Sequence, residues 1–400
     1  MSLSPTQTSH AALVPAGFLA LGTFAIGTEG FMIAPLLPVM AEDFRMAVPT
    51  VALLVVVFTL VLAVSSPITT VATGRLRRRK VLLIAMPIFA IGNLVAAISS
   101  SFAVLMGARV LMAIGAGLYV PAANGLAGVI VAPEMRGRAL AIVSAGQTLA
   151  IAIGLPLGGL IGHAFGWRAT FLLVGAMSVT AIAGILGGIS RDAGQGIGVA
   201  SLRDRVLVTR QRPVLRLLAI SLFWSIGAFA AYPYIAEYLI AVLSFGPMAI
   251  TATVSLWGLS AAAGVMTGGI LNDRFGADRV VHWSLGLLGL SFLVLAIASG
   301  LPPTFSLIPV LSAVVLWGFT VWSFFPAQMS RLIGAGPPSQ APVALALNTS
   351  TMYFGFSVGS ALGATVLGMG AIWSIGALAA AAELIAAALN ASASKKTNPQ

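Results

Sequence analysis

Apolar stretches of about 20 residues or more alternate with short breaks rich in charge, glycine or proline along nearly the whole chain. At about 1.5 Å of rise per residue and a hydrocarbon core of about 30 Å, each stretch is long enough to cross a bilayer as a helix. Twelve spans are expected, at 12–40, 50–73, 81–100, 102–131, 139–164 and 169–189, then 214–243, 247–271, 280–300, 305–332, 341–368 and 370–390. The longest polar segment, 191–213, splits them six and six. The pattern therefore predicts a short tail (1–11), a six-helix bundle (12–190), a linker (191–213), a second bundle (214–390) and a tail (391–400).

Composition agrees with this layout. Of 400 residues, 59% are hydrophobic and 8% charged, against a charged fraction of about 25% in soluble domains. This excludes an ordinary soluble protein. A formal charge of +11 raises nucleic acid as a partner, but the basic residues sit in short loops between apolar runs and form no folded basic domain, so no nucleic-acid partner is expected. There is no cysteine, hence no disulfide framework, thiol nucleophile or thiolate metal site. Residues 1–10 lack the Lys/Arg-rich start of a cleaved signal, so the first apolar run is expected to stay as a helix.

The loop charges set the orientation. Loop 2/3 holds Arg75, Arg77, Arg78, Arg79 and Lys80, and together with loops 4/5, 8/9 and 10/11, the central segment and the C-terminus it carries 18 of the 21 Lys and Arg residues. Only Arg45 and Arg168 fall on the opposite face, while Arg109 lies within a span. By the positive-inside rule both termini are cytoplasmic. An odd number of spans would scramble the alternation, which supports twelve independently of hydropathy.

The halves also echo each other. Gly154, Gly158, Gly162 and Gly166 recur at every fourth position in helix 5, as do Gly355, Gly359 and Gly363 in helix 11. Glycines four apart give a smooth helix face that admits close approach by a neighbour. A static packing seam accounts for most of them; the repetition points to a duplicated six-helix unit, in which a substrate site lies near the midplane between the halves.

Helix 5 reads Gly154-Leu155-Pro156-Leu157-Gly158-Gly159, and loop 8/9 reads Gly269-Ile270-Leu271-Asn272-Asp273-Arg274-Phe275-Gly276-Ala277-Asp278-Arg279. The first is similar to the antiporter motif G-x-P-x-G-G and the second to the cytoplasmic-loop signature G-x-L-x-D-R-x-G-x-x-R. On these residues the chain resembles the major facilitator superfamily, in particular its twelve-helix drug/proton antiporters close to bacterial arabinose-efflux and chloramphenicol-resistance exporters. The resemblance implies an all-α integral membrane fold of two pseudo-symmetric six-helix bundles in a bacterial cytoplasmic membrane. It implies export of a small drug-like amphipath in exchange for protons by alternating access, by a monomer without a cofactor. Arg109, six residues before Gly115, matches the helix 4 motif R-x5-G, whose arginine is implicated in proton coupling. Gly269, Asp273, Arg274, Gly276 and Arg279 would form the cytoplasmic gate. Loop 2/3 has Arg78 where the signature expects Asp, and Tyr353 stands where a second asparagine often follows Asn348.

Glu29 is the residue most in need of explanation, since it lies inside the apolar run from Ala11 to Met40. A charge at mid-membrane costs about 2.5–3.5 kcal/mol on insertion scales, so such groups face a partner or a water-filled path. Glu29 lies roughly 16 Å from the Met40 end of helix 1 and Arg109 roughly 10 Å from the start of helix 4, depths similar enough for contact. A carboxyl whose burial and cationic neighbour pull its proton affinity in opposite directions suits coupling. A static pair that only stabilises packing is the alternative.

Other polar positions carry two explanations each. Glu237, after Tyr232-Pro233-Tyr234, either selects cations at the cavity mouth or lies at the interface with the tyrosines as belt residues. Asn124, Gln147, Gln328 and Asn348 either bond between helices or contact substrate, with Tyr353 as a further candidate. Trp224, Trp257, Trp317 and Trp322 read as packing or belt residues, one or two of them lining the cavity. Glu383 reads as snorkelling or weakly paired. Gly355-Phe356-Ser357-Val358-Gly359 fits G-x-S-x-G but sits in a continuous apolar helix, not a strand-to-helix elbow, so no enzyme is expected. No metal spacing of His10, His163 and His282 and no G-x-x-x-x-G-K-[ST] is present. A sugar, nucleoside or other metabolite exporter and a non-transporting membrane sensor remain as alternatives.

Overall fold

A computed structural model describes residues 5–194 and 207–394. Residues 195–206 of the expected linker, and residues 1–4 and 395–400 of the expected tails, lie outside the described residues. Among the described residues eleven helices are long and apolar enough to span a bilayer: α1 Leu13–Phe44, α2 Val48–Ala72, α3 Arg78–Ala97, α4 Phe102–Ala127, α5 Pro133–Phe165, α6 Trp167–Gly188, α7 Arg212–Leu243, α8 Pro247–Phe275, α9 Ala277–Ala298, α10 Pro303–Gly334 and α12 Trp373–Ser392. The twelfth, α11 Ala341–Gly368, has the length, 28 residues, but is diluted by Asn348, Thr349, Ser350 and Thr351. The helix carrying α12 continues to Ser394, into the segment expected as a tail.

Packing repeats between the halves. In the first, α1 lies against α5 and α6, α2 and α3 against α4, and α3 against α6; in the second, α7 lies against α11 and α12, α8 and α9 against α10, and α9 against α12. The glycine seams explain why. Cβ atoms added at Gly154, Gly158 and Gly162 would strike Thr28, Met32 and Leu36 of α1, one turn apart, and those at Gly355, Gly359 and Gly363 would strike Ser225, the Ile226 carbonyl and Tyr234 of α7. Missing side chains let α5 ride on α1, and α11 on α7, at backbone distance.

Both α1 and α7 are interrupted in the same way, by 3-10 turns at Ala34–Leu36 and Tyr232–Tyr234 that start 198 residues apart. Proline supplies no N–H, so Pro35 leaves the Phe31 carbonyl without its helical donor and Pro233 does the same to Phe229. Both resumed helices end in a left-handed residue, Arg45 at φ 53° and Ser244 at φ 55°. Pro156 follows a π-helical turn at Ala150–Gly154, where α5 is locally widened.

The bundles meet through α2 with α11, α5 with α8 and α1 with α7. The bonds that cross between them lie at mid-depth or toward the arginine-poor loops: Ser357 donates to the Val56 carbonyl at 3.0 Å and Tyr232 to the Phe31 carbonyl at 2.8 Å.

Candidate functional site

Glu29 lies 16 residues from Leu13 and 15 from Phe44, at the middle of α1, and is fully buried. Arg109 of α4, also fully buried, forms an ion pair with its Oε1. Two groups of α2 complete the setting of the guanidinium: Nε donates to the Leu54 carbonyl at 3.2 Å, and the Phe58 ring centroid lies 4.2 Å away. Removing one member of such a pair leaves an uncompensated buried charge, which costs about 3–5 kcal/mol. Gly154 of the antiporter-like motif leaves the space that Thr28 fills, so α5 packs at backbone distance on the residue next to Glu29.

A second feature lies between the bundles. Phe31, Trp224, Ala228, Phe229, Tyr232, Trp257, Trp317, Val321, Trp322 and Phe356 surround a nearly closed cavity with about 10 Å³ of free space. Small-molecule sites usually measure about 300–1,000 Å³ and one water needs about 10–15 Å³, so the rings are closed on one another here and a solute enters only when this lining parts. Phe31, from the first half, meets Tyr232, Trp322 and Trp257 at centroid separations of 5.6, 5.9 and 6.3 Å. Trp257 lies 4.7 Å from Tyr232 and 5.7 Å from Trp317. The indole N–H groups of Trp224, Trp257 and Trp317 are buried without a hydrogen-bond acceptor among the described residues. Among the described residues no acidic side chain lines the cavity. The structure thus offers a ring-lined chamber with unspent donors, and a carboxylate kept apart from it inside one bundle.

Tryptophans aside, Tyr232 is the one residue singled out from sequence that lines this cavity, and its hydroxyl is committed to the carbonyl that Pro35 freed. Tyr234 faces α11 and donates to the Ser360 carbonyl. Glu237 is partly buried one turn beyond Pro233. Gln328 bonds across to α7, donating to the Leu217 carbonyl at 2.8 Å and the Ser221 hydroxyl at 3.0 Å. Asn348 is fully buried and its amide lies 3.2 Å from the Met352 sulfur. Tyr353 packs edge-on against Phe356 at 5.5 Å, one ring behind the cavity. Asn124 is exposed in α4, and Gln147 packs on Gly27. The tryptophans differ from the sequence expectation: all four line one cavity. Their spacing held a signal, since Trp224, Ala228 and Tyr232 recur every four residues along one face of α7.

In loop 8/9, Gly276 takes φ 84° and lets α8 turn into α9, as the signature's glycine should. Gly269 is open to space, while Asp273 receives only a long 3.5 Å bond from Asn272. Arg274 lies 5.3 Å from the Phe275 ring and Arg279 is exposed. Of the neighbouring acids, Asp278 is the one in an ion pair, at 2.9 Å from Arg331. Gly159, unlike Gly154 and Gly158, faces the other half, where an added Cβ would lie 3.1 Å from Thr251 of α8; Pro156 beside it is partly buried.

The family model of the Major Facilitator Superfamily matches residues 19–360. The chain belongs to that superfamily. It is 28% identical to the uncharacterized MFS-type transporter YbcL of Bacillus subtilis (strain 168), over 93% of this chain and 94% of that protein. It is 29% identical to a chloramphenicol resistance protein of Streptomyces lividans, over 93% of this chain and 95% of that one. Among solved structures, the nucleoside transporter NupG superposes with a TM-score of 0.77 at 13% identity, covering 95% of this chain and 99% of NupG. The two six-helix bundles are thus those of a major facilitator, and the protein is a multi-pass membrane transporter.

Proposed function

We propose that this major facilitator exports an uncharged, ring-bearing organic solute from a bacterial cytoplasm in exchange for protons. The observation that carries the reading is the division of labour between two buried features: a mid-membrane Glu29–Arg109 pair within the first bundle, and an aromatic chamber between bundles that contains no carboxylate. With no carboxylate in the chamber, a cation would have only ring faces to offset its lost hydration. Here rings supply stacking surface and three indole N–H groups supply donors, a set that suits planar neutral molecules with carbonyl, nitro or ring-nitrogen acceptors.

The geometry supports a route for coupling. Protonating Glu29 removes the anion from Arg109 and leaves the guanidinium on the Leu54 carbonyl and Phe58 ring. The pair no longer ties α1 to α4, and the break at Ala34–Leu36 lets the outer part of α1 swing from α7. That motion breaks the Tyr232–Phe31 bond, the chamber's lid on the arginine-poor side. Solute leaves there, Glu29 returns its proton on the arginine-rich side, and the pair re-forms. On this reading the arginine-rich loops and both termini are cytoplasmic.

The test is flux in proteoliposomes with an imposed proton gradient. Wild type should accumulate chloramphenicol or a similar neutral ring compound against its gradient, whereas Glu29→Gln should only equilibrate it. Unchanged proton dependence in Glu29→Gln would overturn the coupling role. Preference for a permanently charged aromatic cation over its neutral isostere would overturn the solute class, and binding without any flux would make the protein a sensor.

A further inference from the structure

Glu383 is the one buried carboxylate that neither the ion pair nor the chamber uses. It lies ten residues after Trp373, at the middle of α12, and is fully buried. Both carboxyl oxygens lack a hydrogen-bond partner among the described residues. Its carboxyl occupies the space left by Gly227 of α7, where an added Cβ would come within 2.6 Å of Oε1, and its own Cβ packs on Gly289 of α9. This is a built socket inside the second bundle, not a snorkelling position at its rim.

Among the described residues, the elements around it bring no cation within ion-pair distance. On α7, Tyr232, Tyr234 and Tyr238 give their hydroxyl hydrogens to the carbonyls of Phe31, Ser360 and Leu295. Glu237 lies ten residues beyond Gly227, and Arg212 and Arg216 lie about 16 Å or more before it along the helix. On α9, Asp278, Arg279 and His282 are exposed at the arginine-rich end. From α11, Tyr353 packs on Phe356. The cation on this side is Arg331 of α10, held at 2.9 Å by Asp278 and at 2.9 Å by Asn390. Asn390 lies two turns from Glu383 on the same face of α12, so Arg331 marks the polar end of the stripe that Glu383 begins.

We propose that Glu383 is a second proton-carrying carboxyl, neutral in this conformation and exchanging its proton toward the arginine-rich face along the Glu383–Asn390 stripe. An anion in this socket would have neither cation nor donor to offset its lost hydration, whereas the neutral acid carries no such cost. The proposal adds a second proton to the coupling reading, but the protonation itself stands or falls independently of flux.

The test uses the full chain in lipid nanodiscs. Dicyclohexylcarbodiimide, which modifies protonated carboxyls in apolar surroundings, should label the wild-type peptide containing Glu383. No adduct there overturns the neutral state, and this arm needs no variant. The infrared carbonyl band of a protonated carboxyl should be present in wild type, retained in Glu29→Gln and lost in Glu383→Gln; a band unchanged in Glu383→Gln also overturns it. Transfer to heavy water should shift that band, faster in wild type than in Asn390→Leu. A band that never shifts, or shifts equally fast in both, overturns the exchange route and leaves a sealed structural acid. Flux plays no part in these arms, so failure of the exporter reading is told apart from failure of this one.

Discussion

The two halves share a packing scheme but treat buried charge differently. In the first, Glu29 of α1 meets Arg109 of α4. Matching the 3-10 turns of α1 and α7 places Gly227 opposite Glu29, and matching the starts of α4 and α10 at Phe102 and Pro303 places Val310 opposite Arg109. The second half thus has neither member of the pair, and its mid-membrane carboxyl comes instead from α12 into the space Gly227 leaves. Rings divide the other way, with Trp224, Trp257, Trp317 and Trp322 all in the second half and Phe31 alone reaching the cavity from the first. A duplicated scaffold has diverged: one half carries the buried ion pair, the other most of the ring-lined surface and an acid without a cation among the described residues.

The strongest way to break this comparison is to remove one charge from each half. Arg109→Ala strands Glu29 and should destabilise the fold by about 3–5 kcal/mol, whereas Glu383→Gln should cost less than about 1 kcal/mol because it mimics a neutral acid. Thermal unfolding of both in the same detergent checks this, and equal losses would erase the distinction. Next come the seams. Gly359→Ala meets the Ile226 backbone carbonyl while Gly154→Ala meets the Thr28 side chain. Overpacking costs about 1–3 kcal/mol, and the second-half variant should sit at the upper end because backbone yields less than a side chain. Denaturation midpoints of the pair decide it.

Smaller effects sharpen the picture. Trp257→Phe keeps a ring against Tyr232 but removes one unpartnered N–H, so affinity for an acceptor-bearing solute should fall by about 1 kcal/mol, read by fluorescence quenching, with little change for a hydrocarbon ring of equal size. Asp278→Asn should change stability by less than about 1 kcal/mol, since the Asp278 side chain is 83% exposed. A larger loss there would mean that Arg331 anchors the second half as Arg109 anchors the first.

Much of the fold was readable before any coordinates. Length and apolarity marked the spans. Glycine spacing announced both seams. The site was less readable. Glu29 and Arg109 could be matched in depth, but depth does not say which helices are neighbours. The chamber drew on rings from α1, α7, α8, α10 and α11, whose meeting no local pattern records. The burial of Glu383 was hidden for a related reason: apart from Glu383 and Asn390 its helix is mostly alanine and other apolar residues, and lipid and protein interior are equally apolar, so periodicity does not say which face is buried.

By itself the sequence determined that this chain crosses a membrane repeatedly, in two similar sets of six, with one costly carboxylate in α1. Those properties come from transfer free energies and backbone stereochemistry, which act along the chain. Only the tertiary structure decided that Glu29 has a cation and Glu383 has none, and that the Phe31 carbonyl freed by Pro35 is taken by a tyrosine 201 residues away. Such pairings depend on which helix faces meet, and in a chain this uniformly apolar that is settled by close packing at glycines and by the few polar groups that must find partners.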